Sequence, residues 1–131
     1  MLPFELETLR LTLHLLSVSV WIGGQILLAA LVPVLREVSP EATKKAAQRF
    51  GQVAWPFFGL AVLTGIWNLL EVESGQSSQY MTTLGLKLVL VTSSGVAAFV
   101  HSRTGSVAVR GATGAIGLLS ALGALVLGVM L

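Results

Sequence analysis

Three polar side chains lie within long apolar stretches of the sequence, where such groups are costly in a membrane and are often functional. They are His14, Asn68 and Lys87. An imidazole binds copper or haem iron, whereas a lysine ammonium pairs with carboxylates or donates a proton. Their chemistry indicates either a metal site or a site for a carboxylate-bearing tetrapyrrole.

Sulfur ligands come only from methionine, because the chain has three methionines and no cysteine. Cu(I) prefers thioether and imidazole ligands. His14 together with Met81 and Met130 is therefore a candidate copper site. The lack of cysteine excludes a disulfide framework, a thiolate zinc site and a cysteine-ligated iron–sulfur cluster.

Polar residues recur at three- and four-residue steps in these stretches, a spacing that puts them on one face of a helix. The first stretch carries Arg10, His14, Ser17, Trp21 and Gln25, and the second carries Thr64, Asn68 and Glu71. Such stripes are difficult to satisfy in lipid, so we expect them to converge on an interior cavity. Its polar layer would comprise Ser17, Trp21, Gln25, Asn68, Glu71 and Lys87.

Each of these residues also has a structural interpretation. Lys87 reaches the outer headgroups or pairs with Glu71, and His14 and Asn68 form hydrogen bonds between helices. Trp21 serves only for packing. His101 belongs at the opposite end of the third stretch, about 20 Å from the depth of His14, so one metal ion cannot join the two histidines.

The elements that must position these residues are membrane spans. Of the 131 residues, 54% are hydrophobic and 11% charged, whereas soluble domains carry about 25% charged residues. A soluble globule of this size cannot bury so much apolar surface, which excludes a water-soluble enzyme. No set of residues indicates catalysis. The eight Lys and Arg residues form no patch that could follow phosphates, so nucleic acid is not expected as a partner.

Four apolar stretches each exceed the roughly 20 residues with which a helix crosses a bilayer. They predict spans at about 9–35, 50–72, 80–102 and 107–131, with a basic helical stalk at 40–49 that starts at Ser39-Pro40-Glu41. Short connections place neighbouring helices antiparallel. The sequence therefore predicts an all-α integral membrane protein, an antiparallel four-helix bundle forming a single domain over 1–131.

Positive charge is concentrated in two of the connections. The connections 36–49 and 103–110 carry Lys and Arg, whereas the one between them carries Glu71 and Glu73. By the positive-inside rule, 36–49 and 103–110 are cytoplasmic and both termini lie outside. We expect a multi-pass protein of the cell membrane whose polar layer opens to the outer face.

Small residues recur through the fourth stretch, where they permit close helix contact in lipid. They are Gly111, Gly114, Gly117, Ser120, Ala124 and Gly128. This Gly/Ala stripe predicts either packing within the bundle or contact with another copy of the chain or with a larger membrane complex.

Three short motifs, in order and at matching spacing over about 9–103, resemble the CopD copper-resistance domain. The motifs are His14 with Trp21-Ile22-Gly23-Gly24, then Arg49-Phe50 with Leu63-Thr64-Gly65-Ile66-Trp67-Asn68, then Leu84-Gly85-Leu86-Lys87. The resemblance implies copper binding or transport at the outer face, for which His14, Met81 and Met130 are the candidate ligands.

A more distant similarity is to the HemJ type of protoporphyrinogen oxidase, which also has a histidine on its first membrane helix and a lysine on its third. That similarity implies a b-type haem or tetrapyrrole site, with His14 as axial ligand and Lys87 at a propionate. A third hypothesis is a small accessory subunit of a larger membrane complex.

Overall fold

The computed structural model describes residues 1–131 and contains four α-helices and no strand. The helices are α1 (Leu6–Val38), α2 (Pro40–Leu70), α3 (Ser78–Arg103) and α4 (Val107–Met130). Each is long and apolar enough to cross a membrane. The all-α class and the four membrane-length helices are confirmed, and this architecture is that of a multi-pass membrane protein.

Three of the helices have a serine as their N-cap residue. Ser39 accepts a hydrogen bond from the backbone N–H of Ala42, with Pro40 at the first position of α2. Ser77 and Ser106 cap α3 and α4 in the same way. Each hydroxyl satisfies a backbone donor that has no partner within the helix. Because α2 runs without a break from Pro40 to Leu70, the basic segment 40–49 belongs to the same helix as the second apolar stretch.

The chain divides into two compact units, Met1–Val72 and Glu73–Leu131. The first contains α1 and α2, the second contains α3 and α4, and the two helices of each unit pack along each other. Each unit is therefore a helical hairpin, and we refer to them as the first and the second hairpin.

In the first hairpin the helices run antiparallel and pack along a narrow seam. His14 near the start of α1 contacts Thr64 near the end of α2, and Gly24 further along α1 faces the ring of Phe50. A side chain at position 24 would meet that ring, so the glycine allows the aromatic group to lie against the α1 backbone. The buried residues of this seam are Ser17, Trp21, Ile22, Ala54 and Thr64.

In the second hairpin the close approach of α3 and α4 depends on small residues. The Ser94 hydroxyl donates a hydrogen bond of 2.9 Å to the backbone carbonyl of Gly117. A Cβ atom at position 117 would lie 3.6 Å from the Cβ of Ala97. Several members of the predicted Gly/Ala stripe face α3 in this way or are buried in the hairpin, namely Gly114, Gly117, Ser120, Ala124 and Gly128.

Candidate functional site

A histidine–threonine pair forms the centre of the polar residues in the first hairpin. The Nδ1 atom of His14 lies 2.9 Å from the Thr64 hydroxyl oxygen. That hydroxyl has one proton, which it donates over 2.7 Å to the carbonyl of Leu60. We therefore assign the Nδ1 proton to His14, with the Thr64 hydroxyl as its acceptor. In the neutral imidazole the lone pair is then on Nε2, so this atom is the one suited to coordinate a metal.

An arginine lies one helical turn toward the start of α1. The Arg10 guanidinium is 3.8 Å from a carboxylate oxygen of Glu7 and equally far from one of Glu71, and its side chain is only 12% exposed. Its Nε atom is buried and has no hydrogen-bond partner. Arg10 thus brings a largely buried positive charge to the same seam as His14.

Asn68 lies between the Arg10–Glu71 pair and the His14–Thr64 pair along the hairpin. It lies one turn beyond Thr64 along α2 and just before Glu71. Its side-chain oxygen Oδ1 is buried without a hydrogen-bond partner. The first hairpin therefore places Arg10, His14, Thr64, Asn68 and Glu71 in one polar file. We call this set the polar file.

An aromatic cluster adjoins the polar file farther along α1. Trp21 is 6% exposed, and its ring centroid lies 5.3 Å from that of Trp55 and 4.5 Å from that of Phe58. Between His14 and this cluster, the fully buried Ser17 donates a hydrogen bond to the Leu13 carbonyl of its own helix. The polar file therefore ends, in the direction of the α1 C-terminus, at a packed group of aromatic side chains.

Gln25 lies farther from His14, beyond the aromatic cluster. Its side-chain amide donates a hydrogen bond of 3.0 Å to the carbonyl of Trp21 in the same helix. The structure therefore places Gln25 on the α1 stripe but at a different depth from the polar file. Its predicted place in the polar layer stays a prediction.

The remaining candidates belong to the second hairpin. The Lys87 ammonium packs against α4 at Gly128, where an added Cβ would lie 3.2 Å from Nζ. The side chains of Met81 and Met130 are exposed. Met130 lines an open cleft of about 630 Å³ together with residues at the start of α3.

The structure thus gathers part of the predicted site in one hairpin. His14, Ser17, Trp21, Asn68 and Glu71 lie along the seam of the first hairpin. The joint participation of His14 with Met81, Met130 or Lys87 stays a prediction. Nowhere does the chain show a cluster of three or more His, Cys, Asp or Glu residues that could hold a metal ion.

No protein-family model matches the chain, and no curated protein or solved structure is significantly similar to it.

Two members of the polar file, Arg10 and Thr64, are not among the residues that the sequence selects as site residues. Both lie on the predicted stripes, one turn from His14 and from Asn68 respectively. The helical spacing was the signal that could have found them. Together the file offers one coordinating nitrogen, one guanidinium and one amide within the apolar seam of a membrane hairpin.

Proposed function

We propose that this protein is a CopD-like membrane protein that binds or transports copper at the outer face, with His14 as a copper ligand. The observation that carries the proposal is the hydrogen-bond relay from His14 Nδ1 through Thr64 to the Leu60 carbonyl. Metal-binding histidines typically donate their second ring N–H to an oxygen, which fixes the tautomer and the ring orientation. The resemblance of the His14, Thr64 and Lys87 motifs to the CopD domain supports the choice of copper.

Copper is the cargo in this proposal. The imidazole of His14 binds Cu(I) through Nε2, and the further ligands that the sequence predicts are the soft thioethers of Met81 and Met130. The uptake side is the outer one, because the connections 36–49 and 103–110 carry the Lys and Arg residues that favour the cytoplasm. In this orientation of the cell-membrane protein, His14 lies about one turn below the outer boundary of the apolar part of α1.

A b-type haem or another tetrapyrrole is the second candidate, and the position of Lys87 favours it. Lys87 lies within α3 against Gly128, and the sequence has no Asp or Glu after Glu73. A lysine with no acid on either helix of its own hairpin opposes the binding of a copper cation but stabilises a carboxylate. The donor set fits a haem, because His14 would hold its iron and cationic side chains would hold its carboxylates. When bound, haem would supply electron-transfer chemistry.

The visible spectrum and the metal content of the purified, detergent-solubilised protein separate these candidates. Stoichiometric copper in a colourless protein, lost in His14→Ala, supports the copper proposal. A Soret band lost in the same variant supports the haem alternative. His101→Gln is the matched control, because this exposed histidine lies at the far end of α3 and donates to the carbonyl of Arg110. A protein that binds neither group would overturn both proposals and leave the accessory-subunit hypothesis.

A further inference from the structure

The side chain of Arg10 is only 12% exposed, and its guanidinium has little compensation for the burial of its Nε–H. Both of its carboxylate contacts measure 3.8 Å, which exceeds hydrogen-bond distance, and its Nε–H has no partner. A charged group buried without hydrogen bonds is expensive, and native proteins seldom retain one without a reason. Glu7 and Glu71 are themselves mainly exposed to the surroundings, so they can turn outward and leave the guanidinium to another acceptor.

A second unsatisfied group lies on the facing helix of the same hairpin. Asn68 Oδ1 is buried without a partner, at the level between the Arg10–Glu71 and His14–Thr64 contacts. The oxygen and nitrogen of an amide are assigned from their hydrogen bonds, so a rotation about the last side-chain bond presents Nδ2 at the same place. Asn68 is then a donor, and two donors from facing helices are available to one acceptor group.

We propose that Arg10 and Asn68 form a subsite that binds the carboxylate of an apolar ligand. This inference rests on the tetrapyrrole alternative of the proposed function in one respect, since the apolar body of the ligand would lie toward His14 in the same seam. A guanidinium offers two parallel N–H donors that match the two oxygens of a carboxylate. A single carboxylate group, with one negative charge, suits the subsite better than a dianionic phosphate group, because Glu7 and Glu71 already bring negative charge to the single arginine.

The experiment measures ligand binding to the full chain in lipid nanodiscs through quenching of tryptophan fluorescence, since Trp21 lies in the adjoining cluster. The probe is protoporphyrin IX, which has two carboxylates, and its dimethyl ester is the matched uncharged probe. We expect Arg10→Gln to weaken binding of the acid at least about tenfold, the loss of a charge-assisted hydrogen bond. The ester should bind wild type and variant equally.

Further variants distinguish a specific loss of binding from misfolding of the variant. Arg10→Lys keeps the positive charge without the two-pronged donor, and Asn68→Asp keeps the side-chain shape but repels a carboxylate; both should weaken binding of the acid. Arg49→Gln, at the other end of the hairpin, should leave it unchanged. Helical content and elution volume must match wild type. Competition by palmitate distinguishes the two classes of ligand that could supply the carboxylate, a fatty acid or a tetrapyrrole.

Equal binding of acid and ester to wild type, or equal binding of the acid to wild type and Arg10→Gln, overturns the subsite. Failure of the subsite is distinguishable from failure of the proposed function. If metal uptake still depends on His14 while Arg10→Gln binds the acid normally, only the subsite falls. If Arg10→Gln weakens binding of the acid while no metal or haem depends on His14, the metal proposal falls and the carboxylate subsite stands.

Discussion

At the scale of single residues, the Thr64 hydroxyl decides which nitrogen of His14 can act. Its own proton goes to the Leu60 carbonyl, so it can only accept from the imidazole. Both hydrogen bonds are partly buried, where a hydrogen bond is electrostatically stronger than in water. The consequence is a histidine with a single tautomer and a fixed ring plane, which is a favourable starting point for coordination.

Replacement of Thr64 by valine tests this role. Thr64→Val keeps the shape of the side chain but removes the acceptor, so the metal or haem affinity of His14 should fall about 10- to 100-fold. Thr64→Ser restores the hydroxyl and should restore binding. Titration of the purified variants with copper or haem provides the measurement. Unchanged affinity in Thr64→Val would show that the hydrogen bond does not tune a ligand.

The sequence could nominate His14 and Asn68 but not the residues that complete the polar file. Both were selected because polar groups are rare in apolar stretches. Arg10 and Thr64 were equally visible on the same stripes, yet their roles depend on which level of α1 faces which level of α2. That register follows from contacts such as Phe50 against Gly24, and a single sequence does not specify it.

At the scale of elements, the aromatic cluster is the main apolar contact of the first hairpin. Trp21 is nearly buried and packs in tilted ring contacts against both Trp55 and Phe58. Trp21→Ala removes a large side chain from this seam and should destabilise the hairpin by about 3–5 kcal/mol. Trp67→Ala is the matched control, since this tryptophan is only half-buried and belongs to none of these ring contacts.

Denaturant unfolding in mild detergent, followed by circular dichroism, measures the effect. The Trp21 variant should unfold at a lower denaturant concentration than the Trp67 variant. Equal midpoints would contradict the assignment of the cluster as the packing centre of the hairpin.

The second hairpin provides a test of the small-residue stripe. In Gly117→Val the added methyl groups would press against Ala97 and the backbone of α3, so we expect a loss of about 1–3 kcal/mol from overpacking. Gly111→Val is the matched control, because a side chain there meets nothing within 4 Å. The thermal midpoint of helix loss should fall for the first variant and change less for the second.

Helix ends were largely predictable because their signals are local. Ser39-Pro40 marks the start of α2 and serine caps mark α3 and α4. The use of the Gly/Ala stripe was not predictable, because small residues permit close approach without specifying the partner. The hydrogen bond from Ser94 to Gly117 assigns part of that stripe to contact within the chain. Association with another copy or a larger complex stays a prediction.

At the scale of the whole molecule, the two hairpins differ in length. With 33 residues, α1 is about 50 Å long at 1.5 Å per residue, whereas the hydrocarbon core of a bilayer is about 30 Å thick. The helices α3 and α4, with 26 and 24 residues, match the membrane more closely. Because the charged segment 36–49 joins α1 to α2, we expect the first hairpin to extend into water on the side where this segment lies.

The side on which that extension lies can be tested directly, because the chain has no cysteine. Gln76→Cys places a single thiol in the connection between α2 and α3, and Lys45→Cys places one in the stalk at the start of α2. If the positively charged connections are cytoplasmic, the connection between α2 and α3 faces outward. A membrane-impermeant maleimide should then label Gln76→Cys in intact cells and Lys45→Cys only after permeabilisation. The reverse labelling pattern would show that the protein has the opposite orientation in the membrane. His14 would then lie near the cytoplasmic face, and any copper or haem bound there would have to arrive from inside the cell.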